Sequence, residues 1–493
     1  MLSTITTFSN HSDRMEAFSD YKNEAVMDVL KHTGQDAYRL IITRRSGSEI
    51  LVVGNGPDWS LPRTEIPSRQ RFAEQLTAAI RKSFELETYC LFVPKPPSSV
   101  RTGSNANYAV MESVKQNDPA PAGLYWMPAG VLDPCCDVEE AKAVREALGE
   151  LNSYATGKKP GPFGKAGWLR ELFQWAEEQG DPLGIRLTGN FRQLNASPTF
   201  SLIRLETNGI ALWFKATGKP NEHELPIASS LARLFPRFVP RVLGVHSAWN
   251  GWLTAEAPGA ELDEIAECSA WERVAESLAE LQISSIGKCS ELLDGKCKDL
   301  RLARLCEWID PFVARMGEFM AAQEKPSPAP LAKSELASLR EGLAEGCELL
   351  ESFHLPDTLG HIDLNPGNIL VSAESCVFLD WAEGCVSNPC LTFEYFRQHW
   401  ERSNLEGPAV GARITAAYHR PWQAFFSLEE LRRAMAIAPL VAVFAYAVAN
   451  DRWRSPGSLH DPAVAGYLRS LTRRMYREAI QVAERSAPCL ESL

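Results

Sequence analysis

The sequence predicts an α+β multidomain protein. It should have a mixed strand-and-helix N-terminal domain, then a β-rich segment, then a long helical one. Three observations predict this. At 493 residues the chain is too long for one ordinary core. Its apolar period switches along its length, from mixed, to strand-like, to helical. Inside the helical part, two short apolar runs bounded by turn residues stand out near residues 361–381. Apolar content of 45% with 23% charged residues fits a globular protein. The net charge of −11 argues against bulk binding of nucleic acid and against anchoring to anionic lipid. With no run of 18 apolar residues and no basic-then-apolar lead at the N-terminus, a cytoplasmic protein without a membrane span is expected. The 12 cysteines are scattered, Cys135 and Cys136 are adjacent, and no C-x-x-C occurs, so reduced thiols are expected.

Residues 1–35 read as a polar lead-in with one helix. Tyr38–Thr43 and Glu49–Val53 read as strands joined at Ser46-Gly47-Ser48. After Trp59-Ser60-Leu61-Pro62, a helix is expected from about Arg69 to Glu87, with Phe72, Leu76, Ile80 and Phe84 on one face. Pro94–Ser99 reads as a loop, Tyr108–Met111 and Leu124–Met127 as strands, and residues 138–151 as a second amphipathic helix. This order resembles a Nudix domain, which implies an α/β/α sandwich over residues 1–153. The family's box of a Gly, an isolated Glu and a later Arg-Glu, Glu-Glu cluster fails here. Laid on Arg81, it meets Pro67 for the Gly, Ala73 for the first Glu, Lys82 for the second, Leu86 beside the matching Glu85, and Thr88 for the last Gly. Hydrolysis of a pyrophosphate needs clustered carboxylates around divalent metal, so a Nudix-like domain here is expected to be inactive.

Residues 154–167 read as a linker by their Gly, Pro and Lys content. A helix should follow over Trp168–Glu178. Arg186–Leu194, Thr199–Leu205 and Ala211–Ala216 then read as strands, Leu225–Leu234 as a helix, and Pro240–Val245 and Gly251–Thr254 as further strands. Beyond Pro258-Gly259 the period is helical, over Ser269–Ile283, Asp299–Ala322 and Leu331–Phe353. Helices are expected again at Leu391–Arg402, Leu428–Asn450 and Ala463–Glu484, with Pro439 kinking or splitting the middle one. Ala434–Ala449 reads as a buried core helix too short to cross a membrane.

The helical part is interrupted by His361-Ile362-Asp363-Leu364-Asn365-Pro366-Gly367-Asn368, two short strands, and then Phe378-Leu379-Asp380-Trp381. Phosphoryl transfer needs one carboxylate to receive the proton of the attacking hydroxyl. It also needs an amide oxygen and a second carboxylate to hold Mg²⁺ against ATP phosphates. Asp363, Asn368 and Asp380 fit those roles, with His361 as support for the loop.

The wording of this loop resembles the aminoglycoside phosphotransferase and choline kinase group, where the second Asp is followed by Trp rather than Phe-Gly. The resemblance covers roughly residues 185–480. It implies a two-lobed protein-kinase-like domain, with a β-rich small lobe over 168–257, including its leading helix, and a helical large lobe over 258–493. It implies ATP and Mg²⁺ as cofactors and a small-molecule hydroxyl as acceptor. In such a small lobe a strand lysine meets the α/β-phosphates and a helix glutamate holds it. Lys215 ends an apolar run and fits the lysine. Glu224 is the first choice for its partner and Glu222 the second. No G-x-G-x-x-G lies between Arg186 and Leu205. Asn195-Ala196-Ser197 could offer backbone donors and the Ser197 hydroxyl to phosphate instead, or be a plain hairpin turn. Backbone groups at Glu256 and Ala257 would meet the adenine edge. The rival reading is a nucleotide-binding scaffold without turnover. The acceptor itself is not legible. His399, Trp400 and Glu394 are possible pocket residues.

Overall fold

The computed structural model describes residues 34–54, 59–68, 71–94, 107–131, 138–402 and 409–490. The helix expected in residues 1–35, the Cys135-Cys136 pair and most of the loop at Pro94–Ser99 lie outside them. The chain is mixed α+β and divides into two units. One comprises the described residues up to 225 together with 241–256. The other comprises 226–240 and 257–490.

The first unit holds two sheets. β1 (Gln35–Arg44), β2 (Glu49–Val53), β3 (Arg63–Pro67), β4 (Thr88–Phe92), β5 (Asn107–Ser113) and β6 (Leu124–Pro128) form a six-stranded mixed sheet, ordered β4-β5-β1-β2-β6 with β3 also on β1. β1 runs parallel to β5 and antiparallel to β2 and β3. Alternation along β1 and β2 explains why their apolar runs are unbroken. Leu40, Ile42 and Leu51 face a core with Leu76 and Ile80 of helix α1 (Phe72–Phe84). Ile41, Ile50 and Val52 face the opposite core, with Val144 and Ala147 of α2 (Val138–Ala155). A sheet covered on both faces has no need of polar alternation.

Helix α1 stops three residues short of the expected Glu87. Glu85 takes the left-handed conformation (φ 53°) at its C-terminus, and Thr88–Phe92 leaves as a strand paired with β5. The four-residue spacing that marks α1 masked this aromatic, β-prone run.

The second sheet is β7 (Leu187–Ser197), β8 (Phe200–Thr207), β9 (Leu212–Ala216), β10 (Val242–His246) and β11 (Gly251–Ala255), in the order β10-β11-β9-β8-β7. Ile203, Leu205, Leu212, Phe214 and Leu253 share one apolar core with α2 and with α3 (Trp168–Gly180). The segment expected as a linker is packed into that core. Helix α2 continues to Ala155, and Phe163 is buried against Trp168 and Phe214. Burying one such ring contributes about 1.5–3 kcal/mol, so residues 154–167 are not a free tether.

In the second unit, helices α5 (Cys268–Ser284), α6 (Cys289–Asp294), α7 (Leu302–Ala321), α8 (Lys333–Ser352), α9 (Pro389–Trp400), α10 (Ala409–Trp422), α11 (Leu428–Ala449) and α12 (Pro462–Leu490) follow α4 (Glu224–Leu234). α7, α8, α11 and α12 share one core, and α5, α9 and α10 another. Pro439 lies within α11 without splitting it. At 22 residues α11 is longer than its apolar stretch suggested. By length and composition it could cross a membrane, but 67% of its apolar window is buried. Two three-stranded sheets carry the loop motif. One is β12 (Ala260–Glu261), β15 (Ile369–Val371) and β16 (Cys376–Phe378). The other orders β13 (Lys298–Leu300), β17 (Gly384–Ser387) and β14 (Thr358–His361) as β13-β17-β14. Gly259, at φ +121°, precedes β12. A Cβ there would stand 2.6 Å from the Val371 backbone, so this entry needs glycine.

Candidate active site

His361 closes β14, and Asp363 follows on the loop that leads through Pro366–Asn368 into β15. The His361 ring is 1% exposed, and both its nitrogens are engaged. Nδ1 accepts the backbone N–H of Asp363 at 3.1 Å, so the ring proton sits on Nε2, which donates to the Leu379 carbonyl at 3.1 Å. The His361 N–H donates to Thr392 Oγ1 at 3.0 Å. Burial lowers the His361 pKa below its ordinary value, which keeps the imidazole neutral and this tautomer in place. One ring thereby ties the backbone at Asp363 to the residue preceding Asp380.

A second tie runs parallel to it. The Leu379 N–H donates to the Asn368 carbonyl at 2.8 Å, and Asn368 Nδ2 donates to the Asp363 carbonyl at 3.1 Å. With Nδ2 engaged, Oδ1 is the atom Asn368 has to offer a hard cation. Asp380 takes the left-handed conformation (φ 57°, ψ 60°), sparsely populated for a residue with a side chain. Trp381, next to it, is buried and donates from Nε1 to the Phe378 carbonyl at 3.0 Å. Asp363 Oδ1 accepts the Tyr395 hydroxyl at 3.0 Å, and burial together with Asp363 raises the Tyr395 pKa well above the usual phenol value.

In the other unit, β9 sits in the middle of its sheet, with Lys215 opposite Leu202 on one side and Trp252 on the other. Lys215 Nζ forms an ion pair with the Glu224 carboxylate at the start of α4 and lies 5.8 Å from the centre of the Trp252 ring. The two side chains are 14% and 3% exposed. Glu222 is exposed, and its carbonyl accepts the Asn250 side chain at 3.0 Å.

Two assignments meet a different geometry. Ser197 ends β7 in a tight turn through Pro198 and Thr199. The Thr199 N–H donates to Ser197 Oγ at 3.3 Å and the Ala196 N–H to Asn195 Oδ1 at 2.9 Å, while Pro198 has no N–H at all. The Pro198 carbonyl accepts the Phe163 N–H at 3.1 Å. Of the groups assigned to phosphate at Asn195-Ala196-Ser197, the Ala196 N–H is thus engaged within the turn, and the Ser197 hydroxyl oxygen already accepts a bond there. Glu256 uses its carboxylate on Arg204 (2.6 and 2.9 Å) and on Trp213 Nε1 (3.1 Å), and Arg204 lowers its pKa. Its N–H donates to the Ala211 carbonyl at 2.9 Å. The Glu256 carbonyl and the Ala257 N–H remain as the adenine-binding groups of that reading.

Asp363 opens onto a pocket of ≈ 630 Å³, including space open to solvent, whose walls include Glu383, Tyr446, Asn450, Arg452 and Tyr467. Glu383 follows Asp380 by three residues, and the others come from a helix or turn distant from the loop and carried no signal in the sequence. Tyr446 stacks on Tyr395 at 6.0 Å between ring centres, and burial beside Tyr446 raises the Tyr467 pKa. The proposed pocket residues His399, Trp400 and Glu394 are not among those walls. Trp400 and Glu394 are buried, Glu394 being held by Arg397 at 2.5 and 2.7 Å, and His399 packs beside Tyr395.

No protein-family model matches the chain, and no curated protein matches it. Among solved structures it is similar to an ethanolamine kinase from Plasmodium vivax, at 14% identity and TM-score 0.44, covering 70% of this chain and 96% of that one. It is similar to a choline kinase from Streptococcus pneumoniae, at 14% and 0.39, covering 64% and 99%. It is also similar to a spectinomycin phosphotransferase in complex with ADP and spectinomycin, at 11% and 0.38, covering 63% and 98%. At these scores none of the three carries an argument about activity.

Proposed function

We propose that the chain is an ATP-dependent phosphotransferase acting on a hydroxyl of a small molecule. The observation that carries this reading is the double tie between the Asp363 and Asp380 segments, made by the neutral His361 ring and by Asn368. Buried hydrogen bonds that hold a strained Asp beside a loop Asp and Asn have little purpose in a plain turn. They suit a site where two oxygen ligands and a proton-accepting carboxylate must be pre-positioned.

The donor set fits Mg²⁺. One amide oxygen (Asn368) and one carboxylate (Asp380) are hard ligands. Their small number suits an ion that keeps several waters and arrives with phosphates. When bound, Mg²⁺ would neutralise charge on the transferring phosphoryl group. The chain's own residues do the rest. Asp363, oriented through Oδ1 by Tyr395, receives the proton of the acceptor hydroxyl as the hydroxyl oxygen bonds to the γ-phosphorus of ATP and the bond to the bridging oxygen breaks, releasing ADP. Lys215, held by Glu224, supplies positive charge for the nucleotide phosphates. His361 positions the loop and takes no proton. The six-stranded sheet, which we read as Nudix-like and non-hydrolytic, braces the β7–β11 sheet through their shared core.

The rival, a nucleotide-binding scaffold, is favoured by one observation: the engaged Ala196 N–H and hydroxyl oxygen of the Ser197 turn. Mg²⁺-dependent ATP consumption against a panel of hydroxyl metabolites and aminoglycosides separates the two. The kinase reading expects turnover with at least one acceptor in the wild type and none in Asp363→Ala. If no acceptor is phosphorylated while ATP still raises thermal stability, the scaffold reading stands.

A further inference from the structure

The pocket beside Asp363 carries its own statement about the acceptor. Its ionisable walls are Asp363, Glu383, Arg452, Tyr446 and Tyr467. Asp363 is needed for the proton and is held by Tyr395. Glu383 is already neutralised, since its carboxylate forms an ion pair with Lys298. The Glu383 backbone carbonyl also accepts the Ile362 N–H at 3.3 Å, so this residue is built into the frame of the loop. Tyr467 stays protonated, because burial raises its pKa.

Arg452 is different. It lies on a short turn (Asp451–Arg454) after α11, pinned where its backbone N–H donates to Asn450 Oδ1 at 3.0 Å. Among the described residues its guanidinium makes no hydrogen bond and no ion pair. Asp461 attracts it electrostatically but uses its own Oδ1 on the N–H groups of Ala463 and Val464, at 3.0 and 3.2 Å, where α12 begins. Partial burial lowers the Arg452 pKa, the mark of a cation removed from water without a bonded anion in exchange. A guanidinium in that state offers a planar fork that matches a carboxylate or phosphate.

We infer that the acceptor carries an anionic group as well as the hydroxyl, and that Arg452 binds that group while Asp363 meets the hydroxyl. The inference rests on the phosphotransferase reading and sharpens it. A purely cationic amino alcohol would meet a wall whose carboxylates are the catalytic Asp363 and the ion-paired Glu383, and whose unmatched charge is positive.

The test uses the full chain with ATP and Mg²⁺. L-Serine, L-threonine and 3-hydroxybutyrate are compared with their primary amides, and with ethanolamine and choline as cationic counterparts. Phosphorylation is measured in the wild type, Arg452→Gln and Arg452→Lys, and binding of the same compounds without ATP is followed by calorimetry. The wild type should prefer an acid over its amide. In Arg452→Gln the KM for the acid should rise about 10- to 100-fold, the range for a hydrogen-bonded charge. The preference should collapse toward one, KM for ATP should not change, and Arg452→Lys should restore part of the loss. Turnover of ethanolamine or choline in preference to every acid would overturn the inference and leave the phosphotransferase reading intact. Equal binding of acids and amides, or binding that ignores Arg452→Gln, would overturn it whether or not any compound turns over. Arg452-dependent binding of acids with no transfer to any alcohol would sink the phosphotransferase reading instead.

Discussion

Two turns in this molecule receive similar residues and use them in opposite ways. In the loop from His361 to Asn368, hydrogen bonds to backbone come from the histidine ring and the asparagine amide nitrogen, and the Asp363 carboxylate is oriented by a tyrosine. In the turn from Asn195 to Thr199, Asn195 and Ser197 use their oxygens on neighbouring N–H groups, and the turn is closed on itself. A polar residue in a turn therefore says little until its hydrogen bonds are assigned. Functional loops are those in which buried groups satisfy the backbone and free the ligating oxygens.

The largest way to break this contrast is Asp363→Asn. Transfer should fall by about 10²–10⁴-fold, the usual worth of a positioned proton acceptor, while KM for ATP and the melting temperature stay close to wild type. Steady-state kinetics beside thermal unfolding checks it. A large loss of stability would mean that the carboxylate is structural, as in the other turn.

Lys215→Met comes next. It leaves the buried Glu224 carboxylate without its ion-pair partner, which costs about 3–5 kcal/mol for a buried pair. Urea unfolding should show that loss. The double variant Lys215→Met, Glu224→Leu should recover most of it without recovering activity. Equal stability of the single and double variants would contradict a coupled pair.

Protonation gives a smaller effect, with a definite sign. Burial lowers the pKa of His361, takes His399 to about 3 and takes His419 to about 4. An unfolded histidine binds a proton below about pH 6.5, and these folded ones do not. Stability contributed by the neutral rings is therefore complete above pH 6.5. It should fall as pH drops from there toward about 4. Urea midpoints at pH 7.5, 5.5 and 4.5 should decline, and the decline should be shallower in His399→Gln. An equal slope in that variant would show that its ring titrates normally.

The smallest expected effect is on the closed turn itself. Gly161 has φ +144°, and a Cβ there would stand 2.7 Å from that of Pro198. Gly161→Ala should destabilise the first unit by about 1–3 kcal/mol through overpacking and backbone strain. If the Ser197 turn has no part in holding phosphate, KM for ATP should change less than about twofold, within the scatter of substitutions away from special features. A larger rise in KM would restore the turn to the nucleotide site.

Most elements were legible because their apolar periods are long and undisturbed. The α7 and α8 stretches repeat their apolar positions over 20 residues each. β4 was lost because Phe84 extends the α1 period up to the left-handed Glu85, and no sequence rule marks that residue as a stop. α10 was passed over although Ile414, Ala417, Tyr418 and Trp422 are buried on one face. Of the candidate site, the loop was readable because its residues are close in sequence, and Lys215 because a charge ends an apolar strand. The pocket walls were not. Tyr446, Arg452 and Tyr467 line the pocket with Asp363, and Tyr395 reaches its carboxylate, from helices and a turn far along the chain, which spacing does not encode. The packing of Phe163 was equally hidden, since Gly and Pro around a single aromatic residue read as tether.

The most direct measurement is ³¹P spectroscopy of ATP, Mg²⁺ and an acceptor with the wild-type chain, repeated with Asp380→Ala. The γ-phosphoryl group should appear as a new phosphate monoester on the acceptor in the wild type, and not in the variant. Release of the γ-phosphoryl group only as inorganic phosphate, or an unchanged monoester signal in Asp380→Ala, would contradict the assignment of the loop set tied by His361 to phosphoryl transfer.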